Sequence, residues 1–270
     1  MSGKLYIVAT PIGNLKDFSY RAVETLNECD VILCEDVLHS LKLLNNYDIK
    51  KKLIPYHKFN EKKAQEGIIS LLKEGKTVGL ISDAGTPLIS DPGYELISRL
   101  KSENIYYTII PGACAAISAL VLSGLNTENF YFFGFLKGNN KAKIESLSKI
   151  KELESSLIFY LPAHAVNEDI SLIYKVLGAR KACLVSEITK IYEKTYDFTL
   201  SDNLDLNFKG EFVLVVEGCK ECENNLNSLS LEKHIEHYTN MGIDRMSAIK
   251  QVARDRNIKK SDVYNAVNKD

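Results

Sequence analysis

The sequence contains no apolar stretch approaching the ~20 residues needed to cross a bilayer. Its first residues, Met1, Ser2, Gly3 and Lys4, run straight into a strand-like segment and lack the pattern of a secretory leader. These absences predict a cytoplasmic chain. There is no surplus of one charge either: 34 basic residues face 35 acidic ones, for a formal net charge of −1. The motif G-x-G-x-x-G is missing after the first strand-like segment, which argues against a nicotinamide dinucleotide site and against Rossmann-type methyl transfer. Gly75, Lys76 and Thr77 mimic the end of a P-loop, but position 70 is Ser70 and the lysine leads into a strand. Gly75 reads instead as a helix stop.

The six cysteines are scattered, and a cytosolic chain keeps them reduced. Cys219 and Cys222 are followed by His234 and His237, which resembles a short zinc layout. The two histidines are closer together than zinc sites require, so the pattern reads as coincidence and no metal is expected.

What is present is a chain of 270 residues, 45% hydrophobic and 26% charged. That mixture and length fit a globular enzyme of about two domains. Strand-like runs at residues 5–9, 31–34, 53–56, 77–81 and 106–110 alternate with helical patterns. Tyr20, Val23 and Leu26 form the expected inner face of the first helix. Residues 40–47 read as the second, Asn60 as the cap of the third, and residues 92–101 and 113–122 as later helices. A boundary falls near Gly124. Residues 137–143 read as a polar, basic loop, and strands are expected at 157–161, 182–187, 192–199 and 212–217. Adjacent strands without helices predict a mixed sheet there, unlike the more parallel first sheet. The expected architecture is α/β: residues 1–123 and 124–218 as two domains, then a helical, helix-turn-helix-like tail over 226–270. In that tail Ile249, Val252 and Ala253 face inward, Asn257 stops one helix, and Ser261 caps the next, with Val263, Ala266 and Val267 inside. Between Arg245 and Lys260 six basic residues meet the single acid Asp255, a local charge of +5 suited to a polyanion.

Ligands of open α/β sheets bind beyond the C-terminal strand ends. Three loops reach that edge, each with residues that free or stiffen the backbone: Pro11, Ile12 and Gly13; Asp83, Ala84, Gly85 and Thr86; and Pro111, Gly112, Cys114 and Ala115. Amides there can hold a carboxylate or a ribose.

The segments LYIVATPIGNL (residues 5–15) and ISDAGTPLISDPG (81–93) closely resemble motifs of the small-subunit ribosomal RNA cytidine-2′-O-methyltransferases, within the tetrapyrrole methylase superfamily. PGACAA (111–116), HKFNE (57–61) and EITK (187–190) resemble further family segments, over about residues 4–218. The resemblance implies two α/β domains with S-adenosylmethionine between them. It implies cofactor contacts from the three loops above and, in the second domain, from Tyr160, Leu161, Val216, Glu217 and Gly218. It further implies a homodimer acting on the decoding-centre cytidine of 16S ribosomal RNA (cytidine 1402 in the usual ribosomal numbering) in the small subunit. One segment departs from the family. Residues 35–39 read EDVLH, where the family has Glu-Asp-Thr-Arg-His, so Val37 and Leu38 replace a threonine and an anion-gripping arginine. Either Lys42 or His39 compensates, or the activity is weaker than the family's.

Methyl transfer to a ribose hydroxyl needs in-line positioning and an acceptor for a reluctant proton. Asp36 and Glu61 are the first candidates, then His57, with Glu35 beside them. Glu61 also reads as a first-turn acid placed by the helix dipole, and His57 as a polar strand end. Single-stranded RNA is gripped by aromatic and basic side chains. Asn14, Lys58 and Asn60 near the cleft, Lys137 on the rim, and Arg254, Lys259 and Lys260 in the tail are the expected contacts, with Tyr56, Phe59, Lys62, Lys63, Lys141 and Lys143 as further candidates. Two other readings stand beside this one: a relative methylating a tetrapyrrole or another acceptor, and a non-catalytic RNA-binding assembly factor.

Overall fold

The computed structural model describes residues 3–202, 204, 210–220, 229–240 and 242–267. The chain begins β1 (Lys4–Val8), α1 (Tyr20–Glu28), β2 (Val31–Cys34), α2 (Val37–Asn45), β3 (Lys52–Pro55), α3 (Glu61–Lys73), β4 (Thr77–Leu80), α4 (Tyr94–Ser102), β5 (Tyr106–Ile110) and α5 (Ala115–Leu122). These strands form one sheet in the order β3-β2-β4-β1-β5, and every pairing is parallel. Helices cover both faces, so a central strand such as β2 is an unbroken apolar run buried at all four positions. Leu5, Leu33, Leu72 and Leu96 fill one side of the sheet, and Val8, Leu26, Ile32 and Leu44 the other.

A second sheet follows: β6 (Phe130–Phe135), α6 (Asn140–Ser148), β7 (Ser156–Pro162), α7 (Val166–Leu177), β8 (Lys181–Ser186), β9 (Lys194–Thr199) and β10 (Glu211–Val216). Its order is β6-β7-β10-β8-β9, parallel only between β6 and β7. The expected contrast between a parallel and a mixed sheet therefore holds. Both sheets belong to one compact unit, and the helices after β10 belong to another. That second unit packs α8 (Leu231–Asn240), α9 (Arg245–Asp255) and α10 (Lys260–Val267) around Ile235, Ile249, Val252 and Val263. No helix among the described residues is long and apolar enough to cross a membrane.

Several local expectations change. The inner face of α1 is Ala22, Thr25 and Leu26, while Tyr20 is 90% exposed. Ser19 caps the helix, and Tyr20 is its first residue, beyond the reach of the sheet. Helix α2 starts at Val37, three residues early, because the Asp36 carboxylate accepts the His39 N–H at 2.9 Å. Residues 140–148 are helical rather than a loop, since Asn139 caps α6 by accepting from Ala142 N. Lys143 is consequently no rim residue: its Nζ lies 2.6 Å from the buried Asp169 carboxylate on α7. Helix α10 starts before Ser261, and Ala266 is exposed.

Candidate active site

All strands of the first sheet point one way, so their following loops share an edge. Hydrogen bonds string those loops together. Thr10 N donates to Gly85 O at 2.8 Å and Gly85 N returns to Thr10 O at 3.1 Å. Thr86 Oγ1 donates to Ala113 O at 3.1 Å, tying the 83–93 loop to the Pro111-Gly112 turn. Asp36 N donates to Asp83 Oδ1 at 3.1 Å, adding the loop after β2. From the second sheet, the loop after β8 reaches the first: Asn14 N donates to Thr189 Oγ1 at 3.0 Å. A Cβ on Gly13 would stand 2.7 Å from Lys190 Cγ and 2.9 Å from Ile188 O, so only glycine permits that approach.

The loops and the second sheet enclose a cavity of about 410 Å³, within the range of small-ligand sites. Of the expected cofactor residues, Ile12, Asp83, Ala84, Gly85, Thr86, Cys114, Ala115, Tyr160 and Leu161 line it. Pro11 and Gly13 line a second, more open cavity of about 540 Å³, with His39, Lys42 and Asn46. The two cavities share Ile12, Asp83, Ala84, Lys190 and Glu211. Pro111 and Gly112 lie in neither wall; Gly112 packs against Ala9, where a Cβ would stand 3.0 Å from the alanine methyl. Val216, Glu217 and Gly218 are also outside both walls. Strand β10 runs antiparallel to β7, pairing Phe212 with Leu161 but Val216 with Leu157. The start of β10, with Gly210, Glu211, Phe212 and Val213, therefore lines the cavity instead of its end. Strand direction is absent from the sequence pattern, which is why those residues were missed.

The four acid–base candidates stand outside both cavity walls. Asp36 is committed to its helix: the His39 N–H holds its carboxyl below the ordinary range. Glu61 Oε1 accepts from Tyr56 Oη at 2.9 Å and from Gly93 N at 3.0 Å. His57 donates its own N–H to Asn60 Oδ1, so Asn60 occupies the cap position of α3 without capping it. Burial raises the Glu35 carboxyl, and the Asp83 charge raises it further against an opposing His57. A fifth acid, Asp91, lies within the 81–93 motif. Asp91 lines the cavity of about 410 Å³, and burial pushes its carboxyl up to about 6, helped by Glu35 and Asp83 and opposed by a hydrogen bond with Ser82. Burial also pushes the Tyr160 hydroxyl up to about 12.

Among the expected RNA contacts, Asn14 caps a short turn by accepting from Lys16 N, and Lys58 and Lys137 are exposed. Phe59 is 95% exposed, whereas Tyr56 is 1% exposed and unable to stack on a base. Arg254, Lys259 and Lys260 are exposed on the second unit, as are Arg245 and Lys250. His234 is fully buried there; its Nε2 meets Asp255 Oδ2 at 3.2 Å and its Nδ1 accepts from Arg256 Nε at 3.1 Å. Cys222 lies outside the described residues. Among the described residues no group of three potential ligands is placed to hold a metal.

Comparison with known proteins agrees with this arrangement. Over 97% of its length the chain is 44% identical to "Ribosomal RNA small subunit methyltransferase I" of Halalkalibacterium halodurans, covering 94% of that protein. It is 39% identical over 98% of its length to the protein of that name from Bacillus subtilis, again covering 94% of the relative. Two solved structures share the fold: a uroporphyrin-III-C-methyltransferase from Thermus thermophilus (TM-score 0.58, 19% identity, 80% of this chain and 94% of that one) and a diphthine synthase (TM-score 0.63, 15% identity, 80% and 90%). The family profile of Tetrapyrrole (Corrin/Porphyrin) Methylases matches residues 4–203, which carry the first sheet and every strand of the second but β10, and the chain belongs to that family of methyltransferases.

Proposed function

We propose that this protein methylates the ribose 2′-hydroxyl of a cytidine in 16S ribosomal RNA, the decoding-centre cytidine 1402, on the small ribosomal subunit. The observation that carries the reading is the pair of adjoining cavities that meet at Ile12, Asp83 and Ala84. Methyl transfer between two substrates needs a donor site and an acceptor site with a common wall. The relatives' shared name, over nearly the whole chain, supplies the acceptor.

The cavity of about 410 Å³ fits S-adenosylmethionine by its chemistry as well as its size. Ile12, Ile89, Phe135 and Leu161 offer apolar surface for an adenosine, and carboxylates offer partners for a cationic sulfur and an ammonium. When bound, that group supplies a methyl already electrophilic through its sulfonium. The chain's residues do the rest. The second cavity seats the acceptor nucleotide, with Lys42, His39 and Lys190 toward its phosphates in place of the arginine that Leu38 replaces. Asp83 belongs to both walls and takes the hydroxyl proton as the oxygen–carbon bond forms and the carbon–sulfur bond breaks. Asp36 N fixes one Asp83 oxygen, leaving the other for the ribose. The exposed cations of α9 and α10 hold flanking RNA.

The protein acts as a homodimer in the cytoplasm. Among the described residues β5 and β6 are outermost strands of their sheets, and with helix α5 they expose Tyr106, Ile109, Val121, Phe130 and Tyr131, the apolar surface that a partner subunit covers. Mass analysis of 16S RNA from cells lacking the protein tests the reading. One cytidine ribose methyl should be missing, restored by the wild-type chain and not by Asp83→Asn. An unchanged methylation map overturns it.

A further inference from the structure

Acids outnumber bases among the described residues of the donor cavity. Among the described residues, Asp83, Asp91, Glu187 and Glu211 line it against the single ammonium of Lys190. Lys190 Nζ is already 3.1 Å from Glu187 Oε1. Asp91 lines this cavity and not the second one, so it faces the donor rather than the acceptor. Its loop is also built to a strained shape. Leu88, Ser90 and Gly93 have φ of 72°, 70° and 132°. Side-chain-bearing residues keep such values only where surrounding contacts over-determine them, and such outliers gather at functional sites. Here the contacts are Glu61 on Gly93 N and Thr86 on Ala113 O.

We propose that Asp91 is the counter-charge for the sulfonium of the methyl donor, and so the residue by which this cavity tells S-adenosylmethionine from the spent S-adenosylhomocysteine. The inference rests on the donor assignment made above. The two ligands share adenosine, ammonium and carboxylate, and differ in one methyl and one positive charge on sulfur. A carboxylate beside that sulfur attracts the first ligand and not the second. When the carbon–sulfur bond breaks and the acceptor oxygen gains the methyl, the positive charge leaves the sulfur. The product then gains nothing from the carboxylate and is held less tightly than the donor.

Protonation of Asp91 follows from the same geometry. Glu35 at the end of β2 and Asp83 after β4 repel its charge, Ser82 hydrogen-bonds it, and Tyr160, Glu187, Lys190 and Glu211 face the cavity from the second sheet. Without ligand the carboxyl is pushed up to about 6. A neighbouring cation lowers that value, so donor binding near pH 6 drives a proton off, and donor affinity rises with pH through this range.

Calorimetry on the full chain, in two buffers of different ionisation heat, tests this. Binding of S-adenosylmethionine should release about half a proton at pH 6 and none at pH 8, and S-adenosylhomocysteine should release none at either. Asp91→Asn should lower donor affinity about tenfold and leave product affinity unchanged. In steady state the donor KM should rise without loss of kcat, because the lost attraction belongs to the ground state. Equal proton release with both ligands, or equal loss of affinity for both, assigns Asp91 to the shared part of the ligand and overturns the inference alone. If the wild-type chain binds neither ligand, the donor assignment fails with it. Proton release by the wild-type chain decides the matter even if the variant does not fold.

Discussion

Glu61 holds Gly93 across 32 residues: its Oε1 accepts the Gly93 N–H at 3.0 Å while also accepting the hydroxyl of Tyr56 at 2.9 Å. One oxygen thus pins the end of the strained 88–93 loop to the start of α3. Tyr56 is 1% exposed and Gly93 is buried, so neither donor has water to fall back on. Glu61→Ala leaves two buried donors unmatched, at about 1–3 kcal/mol each. Denaturant unfolding should show a loss of roughly 2 kcal/mol or more, with weaker donor binding as the loop slackens. Glu61→Gln keeps an acceptor oxygen and should recover most of both. A proton-accepting role would instead make the Gln variant as inactive as the Ala variant while its stability stayed near wild type.

Asp36 was a leading candidate for the proton acceptor, yet its carboxylate caps α2. Amides of His39 and Leu38 favour its charged form, so its folded value lies below the unfolded one. The cap's contribution is fully present above the unfolded value of about 3.9 and is lost as pH falls through the lower folded value. Asparagine caps about as well as aspartate. Asp36→Asn should therefore methylate within about twofold of wild type and lose less stability than wild type on acidification below about pH 4. Loss of methylation in a stably folded Asp36→Asn restores this residue to the chemistry.

The parallel sheet was legible because buried parallel strands are apolar throughout, as β2 is, and because Gly75 and Asn60 mark the limits of α3. The three loops were legible as glycine- and proline-bearing strand ends. What was hidden depended on partners distant in sequence. Nothing near Lys143 announces Asp169, and nothing in the run Glu211–Val216 says which end meets Leu161. Asp91 stood in plain view in the 81–93 motif, but its raised carboxyl comes from burial and from Glu35 and Asp83, a crowding that only the fold creates. The reading of Tyr56 as a stacking surface failed for a related reason: an aromatic beside lysines looks exposed until its hydroxyl is found on Glu61.

Lys143 and Asp169 form a pair whose side chains are 13% and 2% exposed. Removing only the lysine leaves a carboxylate sealed between α6 and α7. Lys143→Met should cost about 3–5 kcal/mol, far beyond the scale of a surface ion pair. The double variant Lys143→Met with Asp169→Leu should recover most of that loss, since no charge stays buried. Thermal unfolding of the single and double variants measures both. A single variant within about 1 kcal/mol of wild type shows that the pair behaves as a solvated surface bridge.

The tail's cations make a prediction of another kind, because phosphate contacts are read in salt. Arg254, Lys259 and Lys260 are exposed on α9, the turn after it and α10, and none belongs to the apolar centre of that unit. Each contact with a single-stranded phosphate contributes about 0.7 to the slope of log affinity against log salt. Replacing all three by alanine should flatten that slope by about 2 for a 16S RNA fragment containing the target cytidine. Affinity should fall most at low salt, and S-adenosylmethionine affinity should not change, because these residues are absent from both cavity walls. Filter binding at several salt concentrations reads the slope directly. A slope equal to wild type would leave the basic face of α9 and α10 as a solvated surface, with RNA held by the lysines around the second cavity alone.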